Sequence, residues 1–226
     1  APADVTYNGQ PQQEKPVVKD GEKTLTEGVD YTLSYSSDTT NVGTVTVTVT
    51  GKGNYSGSVD VIYKITPAPL TVNANSNSKV YDGEALTAGG TIKGLVGEET
   101  ATAKTEGSQT EVGSSANKVA GVEWGTANKG NYYIQSQKDG TLTVTAKSIV
   151  PDPDNEKNKM SVGTLADVPY NGTEQAQKPE VKDGEKTLIE GTDYKLTFSE
   201  DKTNVGTVTA TVTGKGNYTG EVTRTY

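Results

Sequence analysis

Two of the usual instruments of enzyme chemistry are missing from this chain: its 226 residues include no histidine and no cysteine. Without imidazole there is no ordinary side chain poised to trade a proton near neutral pH. Without thiolate there is no cysteine nucleophile, no disulfide staple and no sulfur-ligated metal. Carboxylate chemistry remains. Glycoside hydrolysis needs two carboxyl groups about 5–9 Å apart. Glu27 with Asp30 offers such a pair, and Glu190 with Asp193 offers it again at the matching place in a repeat. The competing role is structural: in Glu27-Gly28-Val29-Asp30-Tyr31 the aspartate can bond its own backbone and close a turn ahead of a strand. The expectation is therefore a chain with no catalytic residue and no cofactor.

Three other groups of residues carry possible chemistry. Asp152, Asp154 and Glu156 gather the hard oxygen ligands that suit Ca²⁺. The run lacks a glycine at the turn and a distant glutamate at the right spacing, so a solvated linker is the expected reading. Trp124, with Tyr132 and Tyr133, is the one aromatic constellation able to stack on a sugar ring, although the sole tryptophan of a chain is more often a core plug. Lys19 or Lys182 with Asn54 or Asn217 would be the pair for a lysine–asparagine isopeptide crosslink, against the ordinary expectation that such lysines are solvated.

The elements that must position these residues are written twice. Residues 1–63 align with 164–226 without a gap, at 42 identical positions of 63. Val18-Lys19-Asp20-Gly21-Glu22-Lys23-Thr24-Leu25 returns from Val181, and Asn41-Val42-Gly43-Thr44 returns from Asn204. Self-similarity at a fixed offset marks an array of structural units. An array serves reach or multivalency more readily than a single catalytic site. Thr44 to Thr50 alternates Thr and Val, which predicts a half-buried antiparallel strand with Val45, Val47 and Val49 facing inward. The pattern returns at 207–213 with Ala210 in place of Val47. Asp20-Gly21 predicts a tight hairpin turn.

Gly51-Lys52-Gly53-Asn54-Tyr55-Ser56-Gly57 returns as Gly214-Lys215-Gly216-Asn217-Tyr218-Thr219-Gly220. Its spacing differs from a phosphate-binding loop and no helix follows. The reading is a connection between strands whose tyrosine plugs a sheet edge with its hydroxyl outward. Residues 67–147 form a divergent relative of the repeat, echoing it at Glu111-Val112-Gly113 and Gly130-Asn131-Tyr132. The chain thus divides into a β module at 1–66, a divergent β module at 67–147, a linker at 148–163 and a second copy of the repeat at 164–226, which lacks the end of its last strand. Thr66-Pro67-Ala68-Pro69 predicts a stiff junction, and the charged stretch 148–163 an articulated one.

Composition narrows the partners. The net charge is −8 and Arg224 is the only arginine, so nucleic acid and anionic membranes find no basic patch. No stretch approaches the ~20 apolar residues of a membrane span. Short strands with Gly, Asn and Asp turns predict an all-β chain: tandem small antiparallel Ig-like β-sandwich modules in an elongated array, with β-grasp-like sheets as the alternative.

The run from Leu25 through Gly28, Asp30-Tyr31, Leu33 and Tyr35 to Asn41-Val42-Gly43-Thr44 and Gly51-Lys52-Gly53-Asn54-Tyr55-Ser56-Gly57 resembles a repeat of large surface proteins of Gram-positive bacteria. The middle unit resembles the MBG-type domain of such proteins at Val80-Tyr81-Asp82-Gly83, Gly94-Leu95-Val96-Gly97-Glu98, Gly107 to Gly113 and Gly140 to Thr145. The resemblance implies tandem Ig-like modules between an adhesive or enzymatic head and a cell-wall anchor. It implies an extracellular, monomeric, non-catalytic stalk or adhesin segment. Two alternatives stand beside it. One is a glycan- or mucin-binding array using Trp124, Tyr132 and Tyr133 on a host or bacterial glycoprotein; the other is an accessory segment of a secreted glycosidase.

Overall fold

A computed structural model describes residues 1–155 and 157–226. The chain's regular structure is short strands in several small sheets, with one 3₁₀ turn among the described residues, at Lys129–Asn131. The chain separates into two compact units. The first holds Ala1–Asn75, Ala88–Glu106 and Asn117–Gly140; the second holds Ser76–Thr87, Gly107–Ala116 and Thr141–Tyr226. Residues of the middle stretch therefore contribute to both units. No helix among the described residues is long and apolar enough to cross a membrane.

In the first unit, Gly43–Gly51 pairs antiparallel with Tyr31–Tyr35 on one side and Ser58–Thr66 on the other. Val5–Thr6 adds a parallel edge against Ile65 and Thr66. Strict alternation puts Val45, Val47 and Val49 on the buried face at 1%, 0% and 7% exposure. The intervening threonines are half-buried or exposed, as a period of two requires. Asp20-Gly21 turns tightly between Lys19–Asp20 and Lys23–Thr24, with Gly21 at φ 59°. A second sheet joins Ala68–Ala74 to Gly90–Lys93 antiparallel and to Tyr132–Lys138 parallel. Its main core runs from Tyr7, Val45 and Tyr63 to Leu70 and Tyr132, and a smaller cluster joins Leu25, Tyr31 and Val49.

In the second unit, Tyr194–Phe198 pairs with Thr209–Gly214, which pairs with Glu221–Thr225. Its register repeats that of the first copy residue for residue: Tyr31 faces Gly51 and Tyr194 faces Gly214, through to Tyr35 with Val47 and Phe198 with Ala210. Asn77–Val80 runs parallel to residues 142–145, where Leu142 and Val144 are buried.

The stretch 148–163 departs from the expected articulated linker at both of its ends. Lys147–Ser148 forms a strand parallel to Tyr218–Thr219, and Ile149 is fully buried. Met160–Val162 pairs antiparallel with Val181–Asp183, and both Met160 and Val162 are buried. The physical reason is apolar spacing. Ile149, Met160 and Val162 are three hydrophobic residues in a charged run, and each is buried beside a strand of the second repeat, Ile149 next to Tyr218–Thr219 and the other two against Val181–Asp183.

Candidate functional site

The carboxylate pairs do structural work. Asp30 Oδ2 accepts the Thr26 N–H at 2.8 Å, and Asp193 Oδ2 accepts the Ile189 N–H at 2.9 Å. Glu27 binds Lys15 and Glu190 binds Lys178, each at 2.7 Å. Each aspartate closes the turn that launches the following strand, and each glutamate faces a lysine, so neither pair converges on an empty cleft.

The proposed Ca²⁺ ligands do not assemble among the described residues. Asp152 Oδ1 accepts the Asp154 N–H at 3.1 Å within a turn, and Glu156 lies outside the described residues. No group of three metal-ligating side chains occurs among the described residues. The isopeptide pair of Lys182 with Asn217 is also otherwise engaged. Lys182 binds Glu180 at 2.7 Å, while Asn217 binds Glu111 and Val112.

Trp124 and Tyr132 do come together, stacked at 6.1 Å between ring centroids. Tyr133, adjacent on an extended strand, points the opposite way. It is 48% exposed, whereas Tyr132 is buried in the core. The three rings therefore offer no common platform.

What Tyr132 does instead is hold a joint. Its ring meets the edge of Tyr7 at 5.5 Å and 81°, and Glu99 accepts hydrogen bonds from both hydroxyls, that of Tyr132 at 2.6 Å. The Tyr132 hydroxyl in turn accepts the Val96 N–H at 3.0 Å. Burial and the Glu99 carboxylate push the Tyr132 phenol up to about 12, and Glu99 with burial also raises that of Tyr7. One residue earlier, Asn131 is buried. Its Oδ1 accepts the Val42 N–H at 3.0 Å, and its Nδ2 donates to Asn41 Oδ1 at 2.8 Å. A side-chain amide thus caps the Asn41-Val42 loop.

The second unit contains the same constellation in different residues. Tyr218 meets the edge of Tyr81 at 5.6 Å and 77°. Asn217 Oδ1 accepts the Val112 N–H at 2.9 Å, and its amide nitrogen donates to Glu111. Each joint therefore sets a Tyr-x-Gly turn and an x-Val-Gly loop against a Gly-Asn-Tyr turn. Asp183 is the polar anchor here. It accepts Lys147 Nζ at 2.6 Å and the Tyr218 hydroxyl at 3.3 Å. Burial, then the Asp183 charge, raises the Tyr218 phenol. Lys186 lies over both rings, 5.9 Å from that of Tyr81 and 5.6 Å from that of Tyr218. Gly214 is needed for the turn's shape, because a Cβ there would stand 2.6 Å from the Thr219 nitrogen.

Residues 66–148 match the family model of the YDG domain. The matched stretch contains Tyr81-Asp82-Gly83, whose tyrosine is the ring set against Tyr218. No curated protein matches the chain.

Sequence reading placed the hydroxyls of Tyr55 and Tyr218 outward and Tyr132 among rings able to stack on a sugar. Tyr132 and Tyr218 instead turn the hydroxyl onto a carboxylate. It missed Tyr7, Tyr81, Glu99 and Asp183. A signal was available: Tyr7-Asn8-Gly9, Tyr81-Asp82-Gly83 and Tyr170-Asn171-Gly172 are one tripeptide pattern written three times.

Proposed function

We propose that this chain is a non-catalytic spacer, a stalk or adhesin segment that holds a head domain away from a bacterial cell surface. The observation that carries the reading is the recurrence of one joint, with the same edge-on tyrosine pair and the same asparagine cap on a Val-Gly loop in each unit. A joint that repeats with its sequence module is a device for adding modules. The residues best suited to chemistry support the same reading, because the carboxylates close turns and the buried aromatic pairs fill joints. On this reading the chain works outside the cell, as a monomer.

Small-angle scattering tests the proposal. A compact chain of this length has a radius of gyration of about 17 Å. A spacer should scatter with a value nearer twice that, and a measured radius close to the compact figure would overturn it.

A further inference from the structure

The first repeat has, uncovered, a groove whose counterpart in the second repeat is filled. In the second repeat the strand Lys147–Ser148 lies parallel to Tyr218–Thr219. Lys147 N donates to Asn217 O at 2.9 Å, and Ile149 N donates to Thr219 O at 2.8 Å. Ile149 is fully buried, and Lys147 reaches Asp183 with both side chains mostly shielded, at 14% and 15% exposure.

The first repeat carries the same residues at the same offsets: Val18, Asp20, Lys23, Tyr55 and Gly57 stand for Val181, Asp183, Lys186, Tyr218 and Gly220. Their mutual contacts are also the same. The Tyr55 hydroxyl donates to Asp20 Oδ2 at 3.2 Å, and Lys23 Nζ lies 5.9 Å from the Tyr55 ring centroid. The cover differs. Val59 is 58% exposed where its counterpart Val222 is 8% exposed. Tyr55 and Ser56 belong to no strand, whereas Tyr218 and Thr219 do. Along this edge lies an open cavity of about 280 Å³, lined by Val18, Leu25, Tyr31, Tyr55 and Val59 among others.

We propose that this groove docks an extended segment of the chemistry of Lys147-Ser148-Ile149, contributed by another module of the same type. The backbone edge from Asn54 to Ser56 would accept the strand's N–H groups, as the edge from Asn217 to Thr219 does. Asp20 would take the lysine, and the apolar floor would take the isoleucine. The proposal builds on the modular joint behind the spacer reading but makes a separate claim, that the first repeat is a receptor. Asn54 would then cap the x-Val-Gly loop of the incoming module, as Asn217 caps Glu111-Val112.

The probe is a synthetic peptide of residues 144–152, with blocked ends, titrated into the isotopically labelled full chain and followed by backbone amide shifts. Saturable shifts at Tyr55 to Val59, with one site per chain, are expected. Replacing the peptide's isoleucine by aspartate should weaken binding at least tenfold, and Asp20→Asn in the chain should weaken it severalfold. Asp20 is exposed, so that variant keeps its fold. Three results would overturn the proposal: no saturable shift at millimolar peptide, identical shifts with the aspartate peptide, or shifts confined to residues 164–226. A compact radius of gyration would sink the spacer reading and leave this titration unaffected.

Discussion

Tyr7 and Tyr170 occupy the same position in two copies of one sequence, yet Tyr7 is 5% exposed and Tyr170 is 62% exposed. Val42 and Val205 differ the same way: Val42 is half-buried under Asn131, and Val205 is 88% exposed. The loops themselves are alike. Asp38 Oδ1 accepts the N–H groups of Thr40 and Asn41, and Asp201 Oδ1 accepts those of Thr203 and Asn204. Each aspartate also accepts its asparagine's side-chain amide at 3.0 Å. The Asn204-Val205 loop thus holds its shape with nothing seated upon it. Burial in this repeat is conferred by a neighbour, whereas loop shape is conferred by a local aspartate.

The comparison breaks most easily at the tyrosines. Tyr7→Ala removes a buried ring and should cost about 3–5 kcal/mol of unfolding free energy in denaturant titrations. Tyr170→Ala should stay within about 0.5 kcal/mol, as exposed substitutions do. Comparable losses from the two would show that the repeat, not its neighbour, sets the value of the ring. The asparagines give a smaller contrast. Asn131→Ala removes the acceptor of the half-buried Val42 N–H and should cost about 1–3 kcal/mol, while Asn54→Ala should be close to neutral by the same measurement.

Titration sharpens the contrast with the smallest effects. The raised Tyr7 and Tyr132 phenols hold their protons more tightly in the folded chain, so their contribution is whole below the ordinary value near 10. It is lost as pH rises from there through about 12, the value for Tyr132. Melting temperatures should therefore fall across that alkaline window, and less steeply in Tyr132→Phe. On the acid side, backbone and side-chain N–H groups of Asn204 and Thr203 hold Asp201 down to about 2. Its contribution is present above the ordinary value of 3.8 and goes as pH falls through about 2. Amide shifts of Thr203 and Asn204 should follow that low midpoint in a chain otherwise still folded.

Much of the strand layout was legible because it is local. The alternation at Thr44–Thr50 sets which face is buried, and Asp20-Gly21 sets the hairpin. The roles of Asp30 and Asp193 were legible for the same reason, each bonding a nitrogen four residues away. The joints were not, because they link residues far apart in the chain: Val42 with Asn131, Tyr7 with Glu99, Val112 with Asn217. No window of periodicity contains both partners. Ile149 was lost for a different reason. The Ile149-Val150 pair ahead of two prolines and a charged run reads as linker by composition, although Ile149 alone is enough to fill its place in the groove.

In each unit the inserted strand comes before its partner in the sequence: Ala68 before Tyr132, and Lys147 before Tyr218. On a ribosome the strand is therefore already outside when its partner appears. Each of these two edges can close as soon as its later strand emerges. Domains that finish in order of synthesis spend less time with unpaired edges on display. An array of closely similar sequences faces its greatest hazard there, in pairing one copy's strand with another copy's edge. Supplying each strand from upstream turns the direction of translation into a rule for which copies may pair.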